Sequence, residues 1–350
     1  MQRVYILDQG SYLRKSGPNL ALYKDRKLVE EIPGSGLEQL VLMGYTSLSG
    51  GVIDFLIRNR VETVFLSPSG GFRGRLNIDE HKDVQRRRKQ YLNLSDDGFL
   101  LAVARAVVQG KLRNQARFLQ AQGQRNKLQD ALAMSQALKA LSRNVRDARD
   151  MNTLRGMEGH GSNMFFRAFG LLVKNPDFKF TARSKRPPLD PVNALLSFIY
   201  TMLTSEVLSA IRTAGLDPGL GALHEPAYGR PSLACDLVEE WRTYIADRLV
   251  LQLINRGTVK KDDFVHRDHT RTDFVDEHDL VQKRPVELKP GPRRALVQTY
   301  ENWMNQDIQA GKLGKKLSYR GYILHQVRHF LECITDDNPD YQPFSLSEKM

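Results

Sequence analysis

The stretch FLLAVARAVVQGKLRNQARFLQ, residues 99–120, is rich in alanine and leucine, and its apolar side chains recur three and four positions apart. That spacing is the period of a helix with a buried stripe, and it sets Arg113 and Arg117 one turn apart. The same period continues toward the C-terminus, in LQDALAMSQALKALSR (128–143), MNTLRGMEGHGSNMFFRAFGLLV (151–173), PVNALLSFIYTMLTSEVLSAIRTA (191–214) and ACDLVEEWRTYIADRLVLQLI (234–254). Before residue 80 the pattern is different. RVYILD is a short apolar run, NLALYKDRKLVEEIP reads as two strands folded about residues 24–27, and VETVFLS reads as a further strand. GGVIDFLIRNR reads as one helix, and SPSGG marks a turn before FRGRL. The expected fold is therefore α+β: a β-rich domain over 1–80, a basic linker over 81–97, and a larger, mainly α-helical domain over 98–350.

The 350 residues are enough for two cores, and 52 basic against 40 acidic side chains leave a net charge of +12. That balance favours a polyanionic partner, either nucleic acid or an anionic membrane surface. No run of eighteen apolar residues occurs, and MQRVYILDQG lacks the apolar core of a signal peptide, so a soluble cytoplasmic protein is expected. Cys235 and Cys333 have no CxxC spacing, which argues against a disulfide framework or a zinc site. Gly70 and Gly71 are not followed by GK[ST], so they suggest a hairpin turn rather than a phosphate loop. His266 and His269 flank Asp268 in a charged segment and are given no role.

Acidic residues gather where this basic chain least predicts them. HEPAYGRPSLACDLVEEW, residues 224–241, ends in Asp236, Glu239 and Glu240. On a helix these three share one side and repel by a few tenths of a kcal/mol per pair. Ser232, after Pro231, is placed to cap that helix. A fourth acid, Glu158, falls inside the stripe formed by Leu154, Gly161, Phe165, Ala168 and Leu172. A carboxylate on a core-facing stripe costs several kcal/mol unless it is paired or coordinated. Gly159 and Gly161, each about 1 kcal/mol worse than alanine in a helix, suggest that another backbone or a ligand comes close. His224 precedes the acids in a loop rich in glycine and proline. One imidazole with oxygen ligands suits Mn²⁺ or Mg²⁺ better than structural zinc. The competing reading is that Arg230, Arg242 or other arginines neutralise the acids and His224 only packs. QRRRKQY, KLRNQAR, RNVRDAR and RSKRPP are basic patches that could hold phosphates, which gives affinity without sequence readout. A metal centre in a basic protein points to phosphodiester chemistry.

With these residues in place, the chain resembles the CRISPR-associated spacer-acquisition integrase family, the first of the two general adaptation proteins. The likeness is carried by FLLAVARAVVQGKLRNQ, LRGMEG, DPVNALLSFIYTMLTSEV, GLDPGLGALHEPAYGRPSLACDLVEEWR and RGYILHQVRHFLE, spread over nearly the whole chain. The resemblance implies a divalent-metal site of Glu158, His224 and Glu239, with Asp236 as an additional or alternative ligand, and a salt bridge or packing role for Glu240. His160 and Ser162 stand where small apolar residues are expected, and neither is expected to touch a ligand. The resemblance also implies a homodimer, assembly with the small second adaptation protein (Cas-two), and double-stranded DNA as substrate. It implies a metal-dependent endonuclease and integrase in which the terminal hydroxyl of a captured DNA attacks a phosphodiester of the CRISPR repeat. The reading from another class is a nucleic-acid-binding scaffold in which the same acids form a structural ion-pair network.

Overall fold

The computed structural model describes residues 2–67, 70–76, 83–184, 188–266, 286–309 and 316–345. The chain divides into two compact units, Met1–Glu80 and His81–Met350.

The first unit holds two four-stranded sheets. In one, β1 (Gln2–Ile6), β5 (Leu37–Met43) and β7 (Glu62–Leu66) run parallel, and β8 (Phe72–Leu76) pairs antiparallel to β7. The other has the order β4 (Lys27–Ile32), β3 (Asn19–Lys24), β2 (Tyr12–Ser16), β6 (Ser47–Leu48). The hairpin between β3 and β4 turns through Asp25 and Arg26, whose φ values of 50° and 63° are the left-handed pair that a tight two-residue turn requires. α1 (Gly50–Arg58) is capped by the Ser49 hydroxyl and lies between β5 and β7 in sequence. Leu13, Leu20, Leu40, Val52, Leu56 and Val61 fill this unit's core.

The first element of the second unit departs from expectation. The stretch expected to be a linker contains a helix, α2 (Val84–Leu94), which is docked on its own unit. The Gln90 amide, fully buried, donates to the carbonyls of Asp217 (2.8 Å) and Leu220 (3.0 Å) and accepts from Asp217 N–H (2.7 Å). Asn93 donates to Ile334 O at 2.9 Å, and Arg86 to Ala214 O at 2.9 Å. The polar composition that suggested a connector thus serves partly to satisfy backbone groups of neighbouring segments.

α3 (Asp97–Asn126) is capped by Asp96, which accepts from Phe99 N–H at 2.7 Å, and ends at Lys127 in the left-handed region, φ 55°. That reversal sends α4 (Gln129–Asn144) back along α3. α5 (Met151–Leu172), capped by Asp150, then runs parallel to α3. Matched contacts show it: Leu112 lies against Gly161 and Phe118 against Phe165. The predicted stripe of Leu154, Gly161, Phe165, Ala168 and Leu172 is buried, joined by Phe169. α6 (Pro191–Thr213) is long and apolar enough to cross a membrane by length and composition, but two-thirds of its apolar window is buried inside the fold, as in a core helix.

The segment expected to be one helix over 234–254 is four pieces: α7 (Ser232–Leu237), α8 (Glu239–Arg242), a π-helical turn (Thr243–Asp247) and α9 (Arg248–Asn255). π turns inside helices re-aim the side chains before and after them and are frequent at functional sites. β9 (Phe264–His266) pairs with β10 (Val286–Leu288), and β11 (Asp307–Gln309) with β12 (Lys316–Ser318). Asp268 and His269 lie outside the described residues. α10 (Pro290–Met304) follows β10, and α11 (Tyr319–Thr335) follows β12.

Candidate metal centre

The parallel run of α3 and α5 brings Lys111 against Glu158, while α8 brings Glu239 to the same ammonium. Lys111 Nζ is ion-paired with Glu158 Oε1 and lies 2.9 Å from Glu239 Oε2. Its side chain is 6 % exposed, against 2 % for Glu239 and 27 % for Glu158. Burial works against charge on this lysine, yet Glu239 and then Glu158 outweigh it and hold the ammonium above its ordinary pKa. Burial likewise raises Glu239, but Arg242 and Lys111 together depress it to about 2. Arg242 Nη1 donates to Glu239 Oε1 at 2.6 Å. Glu158, desolvated yet facing Lys111, is also lowered.

Lys111 is the member of this cluster that the sequence did not reveal. It opens the KLRNQAR patch, yet it is buried with Asn114 and Gln115, and only Arg113 and Arg117 of that patch's cations are half-exposed. A signal was present: Lys111 follows Val107 and Val108 by four and three residues, on the buried stripe of α3.

The three acids Asp236, Glu239 and Glu240 do not stay together. Asp236 points back into the loop before it, where Oδ2 accepts from the N–H groups of Ala222 (2.6 Å) and Leu223 (3.0 Å). Asp236 Oδ1 accepts from His224 N–H (2.9 Å) and lies 2.7 Å from His224 Nδ1. Glu239 turns to the two cations. Glu240 meets the C-terminal segment: Oε1 accepts from Tyr341 OH at 2.9 Å, and Oε2 takes the Phe344 N–H. With no cation beside it, burial pushes Glu240 up to about 8. It packs and hydrogen-bonds; among the described residues it makes no salt bridge. The repulsion expected from spacing is relieved because each carboxylate has its own partners.

Local devices fix the loop that carries His224. Arg155, on α5 one turn before Glu158, donates to Leu223 O at 3.2 Å and to Glu225 Oε1 at 2.6 Å. Gly221 is required here, since a Cβ at that position would sit 2.5 Å from Asp236 Oδ2 and 2.7 Å from the Ser232 backbone. Ser232 is the first residue of α7 rather than its cap, and its hydroxyl donates to Glu225 O at 2.9 Å. Gly161 is closely approached, but by the side chains of Leu112, Leu138 and Leu141 rather than by the backbone or ligand expected of it, and Gly159 has open space. His160 is exposed, but Ser162, expected to touch no ligand, donates to Glu158 Oε1 at 3.0 Å.

Whether a divalent cation suits these residues can be judged from the donors. Among the described residues no three His, Cys, Asp or Glu side chains converge closely enough to enclose an ion, because the Lys111 ammonium stands between Glu158 and Glu239. The position is nevertheless built for positive charge. Glu239 Oε2 is buried and accepts no hydrogen bond of good geometry, so its contact with Lys111 is ionic. His224, bonded through Nδ1 to Asp236, has Nε2 as its remaining ligand atom, the usual arrangement of a carboxylate-oriented metal histidine. Carboxylate, carboxylate and imidazole fit Mn²⁺ or Mg²⁺ if the lysine gives way.

A strand-rich unit followed by a helical unit with buried carboxylates and a carboxylate-bound histidine defines an α+β class of two-unit protein, not yet a family. The family is given by sequence: the family model for CRISPR associated protein Cas1 matches residues 4–278, and the chain belongs to that family. It is 35% identical over 345 residues to the CRISPR-associated endonuclease Cas1 3 of Thermus thermophilus, covering 98% of this chain and 97% of that one. A casposase bound to integration product shares the fold with a TM-score of 0.83 at 21% identity, over 100% of this chain and 96% of that one. A Cas6-RT-Cas1–Cas2 complex matches with a TM-score of 0.81 at 21% identity, over 100% of this chain and 36% of the matched chain.

Proposed function

We propose that the chain is a divalent-metal-dependent DNA endonuclease and integrase of CRISPR adaptation, which inserts short DNA fragments into an array by transesterification. The observation that carries this reading is the single buried cation position between Glu158 and Glu239, on the same domain as the Asp236-bound His224. The endonuclease name of the Thermus thermophilus relative and the casposase bound to integration product support the same chemistry.

Glu158, Glu239 and His224 Nε2 would hold the ion. Asp236, its oxygens taken up by three backbone N–H groups and the imidazole, positions His224 rather than binding directly. A bound Mn²⁺ or Mg²⁺ supplies Lewis acidity at the phosphoryl group and lowers the pKa of the attacking hydroxyl. Lys111 and Arg242 keep the carboxylates ionised and aimed. Their positive charge also favours the phosphate of an approaching strand. One phosphodiester is exchanged for another, so no nucleotide cofactor is needed, and water in place of the hydroxyl gives cleavage. The partners in this reading are double-stranded DNA, a second copy of the chain and the small second adaptation protein, of which the last is supported by the Cas6-RT-Cas1–Cas2 complex that shares this fold.

A second reading has one observation in its favour. Lys111 and Arg242 already neutralise Glu158 and Glu239, as a structural ion-pair network in a non-catalytic DNA-binding scaffold would. Strand transfer separates the two. A short duplex with free 3′ hydroxyls is mixed with a supercoiled repeat-bearing plasmid, the second adaptation protein and Mn²⁺, using wild type and His224→Ala. Joined product from the wild type alone is expected. If neither protein joins DNA and both bind it equally, the scaffold reading stands.

A further inference from the structure

Residues 341–345 have no regular secondary structure, yet Tyr341 and Phe344 are buried. A buried irregular segment must find partners for its backbone groups one by one. Here helix side chains supply them. The Phe344 N–H donates to Glu240 Oε2, and the Phe344 carbonyl accepts from Asn114 at 2.9 Å. Gln326, on α11, donates to Gln342 O and, at 3.2 Å, to Tyr341 OH, which itself donates to Glu240 Oε1 at 2.9 Å. Arg117 of α3 donates to the Ser345 hydroxyl.

Two of the elements gripped in this way carry members of the cation cluster. On α3, a Cβ at Gly110 would run into the Pro343 ring and Asn114 holds Phe344, so the contacts fall on either side of Lys111. On α8, Glu240 and Trp241 follow Glu239 directly, and the Trp241 and Phe344 rings stack at 4.0 Å and 25°. Phe344 also meets Tyr244 of the π turn edge-on at 5.9 Å and Tyr322 of α11 at 5.5 Å. Asn114, fully buried, closes the arrangement: besides holding Phe344 O it donates to Glu240 O at 3.0 Å and accepts from Tyr244 OH at 3.1 Å. Apolar side chains at 114, 240 and 326 would fill a core at less cost. What a fully satisfied buried polar network adds is a single fixed geometry.

We propose that residues 341–345 are a positioning strap for the metal centre: packed against α3 and α8, they hold Glu239 at the separation from Glu158 that one shared cation requires. Phe344, Glu240 and Asn114 are the positioning residues, and none of them touches the ion. The proposal rests on the metal reading above and adds the support that keeps its ligands in register. The strap matters more to an ion than to the lysine that precedes it. Mg²⁺ demands near-ideal octahedral geometry at about 2.1 Å, whereas an ammonium on a flexible four-carbon stem follows its partners. By linkage, a bound ion tightens the strap by the same factor that the docked strap tightens ion binding.

The test is Mn²⁺ affinity of the full chain by titration calorimetry, well below the unfolding temperature, in wild type, Phe344→Ala, Glu240→Leu and Gly110→Ala. Tm is recorded for each metal-free protein. Gly110→Ala adds one methyl against Pro343 and is otherwise favourable in a helix, so it displaces the strap in a chain that still folds. Leu296→Ala, in the buried face of α10, is the control for lost stability alone. Each strap variant is expected to bind Mn²⁺ about 10–100-fold more weakly, as for other residues that orient metal ligands. Leu296→Ala should lower Tm and leave the affinity unchanged. Glu240→Gln, which keeps an acceptor for the Phe344 N–H, should bind more tightly than Glu240→Leu. In wild type, saturating Mn²⁺ should slow hydrogen exchange of the Phe344 amide by a factor comparable to the affinity lost in Phe344→Ala. Wild-type affinity in all three strap variants, or an equal loss in Leu296→Ala, would overturn the proposal and leave the metal reading intact. Wild type with no affinity for Mn²⁺ would overturn both.

Discussion

Lys111→Met replaces the buried ammonium by an apolar side chain of similar length and leaves Glu158 and Glu239 facing each other. Breaking a buried ion pair by removing one partner costs about 3–5 kcal/mol. Glu239 retains Arg242 at 2.6 Å and Glu158 is 27 % exposed, so the lower end of that range, about 3 kcal/mol, is expected. The depressed pKa sets a ceiling on the Glu239 part of this loss, because Arg242, which the variant keeps, contributes more to the depression than Lys111 does. Glu239 at about 2, against an ordinary 4.5, corresponds to roughly 3 kcal/mol at 1.36 kcal/mol per pKa unit. That stability is present above pH 4.5 and lost as pH falls toward 2, and part of this acid-side loss should disappear in the variant. For a domain of this size, 3 kcal/mol lowers Tm by about 5–10 °C. The assay is thermal unfolding of wild type and variant, each with and without Mn²⁺. An ion at one hundred times its Kd returns about 2.7 kcal/mol, so Mn²⁺ should raise the variant's Tm more than the wild type's. A metal-free variant as stable as wild type would refute the counter-cation role of Lys111. Equal Mn²⁺ shifts in both proteins would refute placement of the ion at this cluster.

Other perturbations probe the supports of the site. Gly161→Ala places a Cβ 2.2 Å from Leu112 Cδ2, and the resulting displacement of α5 should cost about 1–3 kcal/mol in chemical denaturation and slow strand transfer. Asp236→Asn removes the carboxylate that orients His224 and should weaken Mn²⁺ affinity 10–100-fold by calorimetry, with little change in DNA affinity. Asp247, buried and hydrogen-bonded by Tyr200, is pushed by burial up to about 7. The folded chain therefore holds its proton more tightly than the unfolded chain, and stability is lost as pH rises from about 4 through 7. The loss amounts to roughly 4 kcal/mol. Asp247→Asn should flatten that slope in a pH series of unfolding curves, and an unchanged slope would refute the assignment.

The two-part fold was legible because periodicity changes from strand-like to helical near residue 80 and helix boundaries carry their own signals. Asp96, Asp150 and Asp190 cap helices as local chemistry dictates, and Pro191 opens α6. α2 was missed because its role is to satisfy distant carbonyls with Gln90 and Asn93, so composition made a docked helix resemble a connector. The breaks in 232–255 were missed because a π turn has no residue signature of its own, only a consequence for where Asp236, Glu239 and Glu240 point. Helical spacing correctly placed Glu158 on a core-facing stripe, and it correctly implied a positive partner. It did not show that the partner is a lysine forty-seven residues earlier, because that pairing depends on α3 and α5 running parallel.

The central claim is that Glu158, Glu239 and His224 form one cation site, filled by the Lys111 ammonium until a metal binds. Mn²⁺ binding to the full chain, followed by electron paramagnetic resonance with titration calorimetry, tests it most directly. The account predicts one bound ion per chain with nitrogen coupling that disappears in His224→Ala, and loss of tight binding in Glu239→Gln. The same stoichiometry, affinity and nitrogen coupling in both variants would place the metal elsewhere and contradict the account.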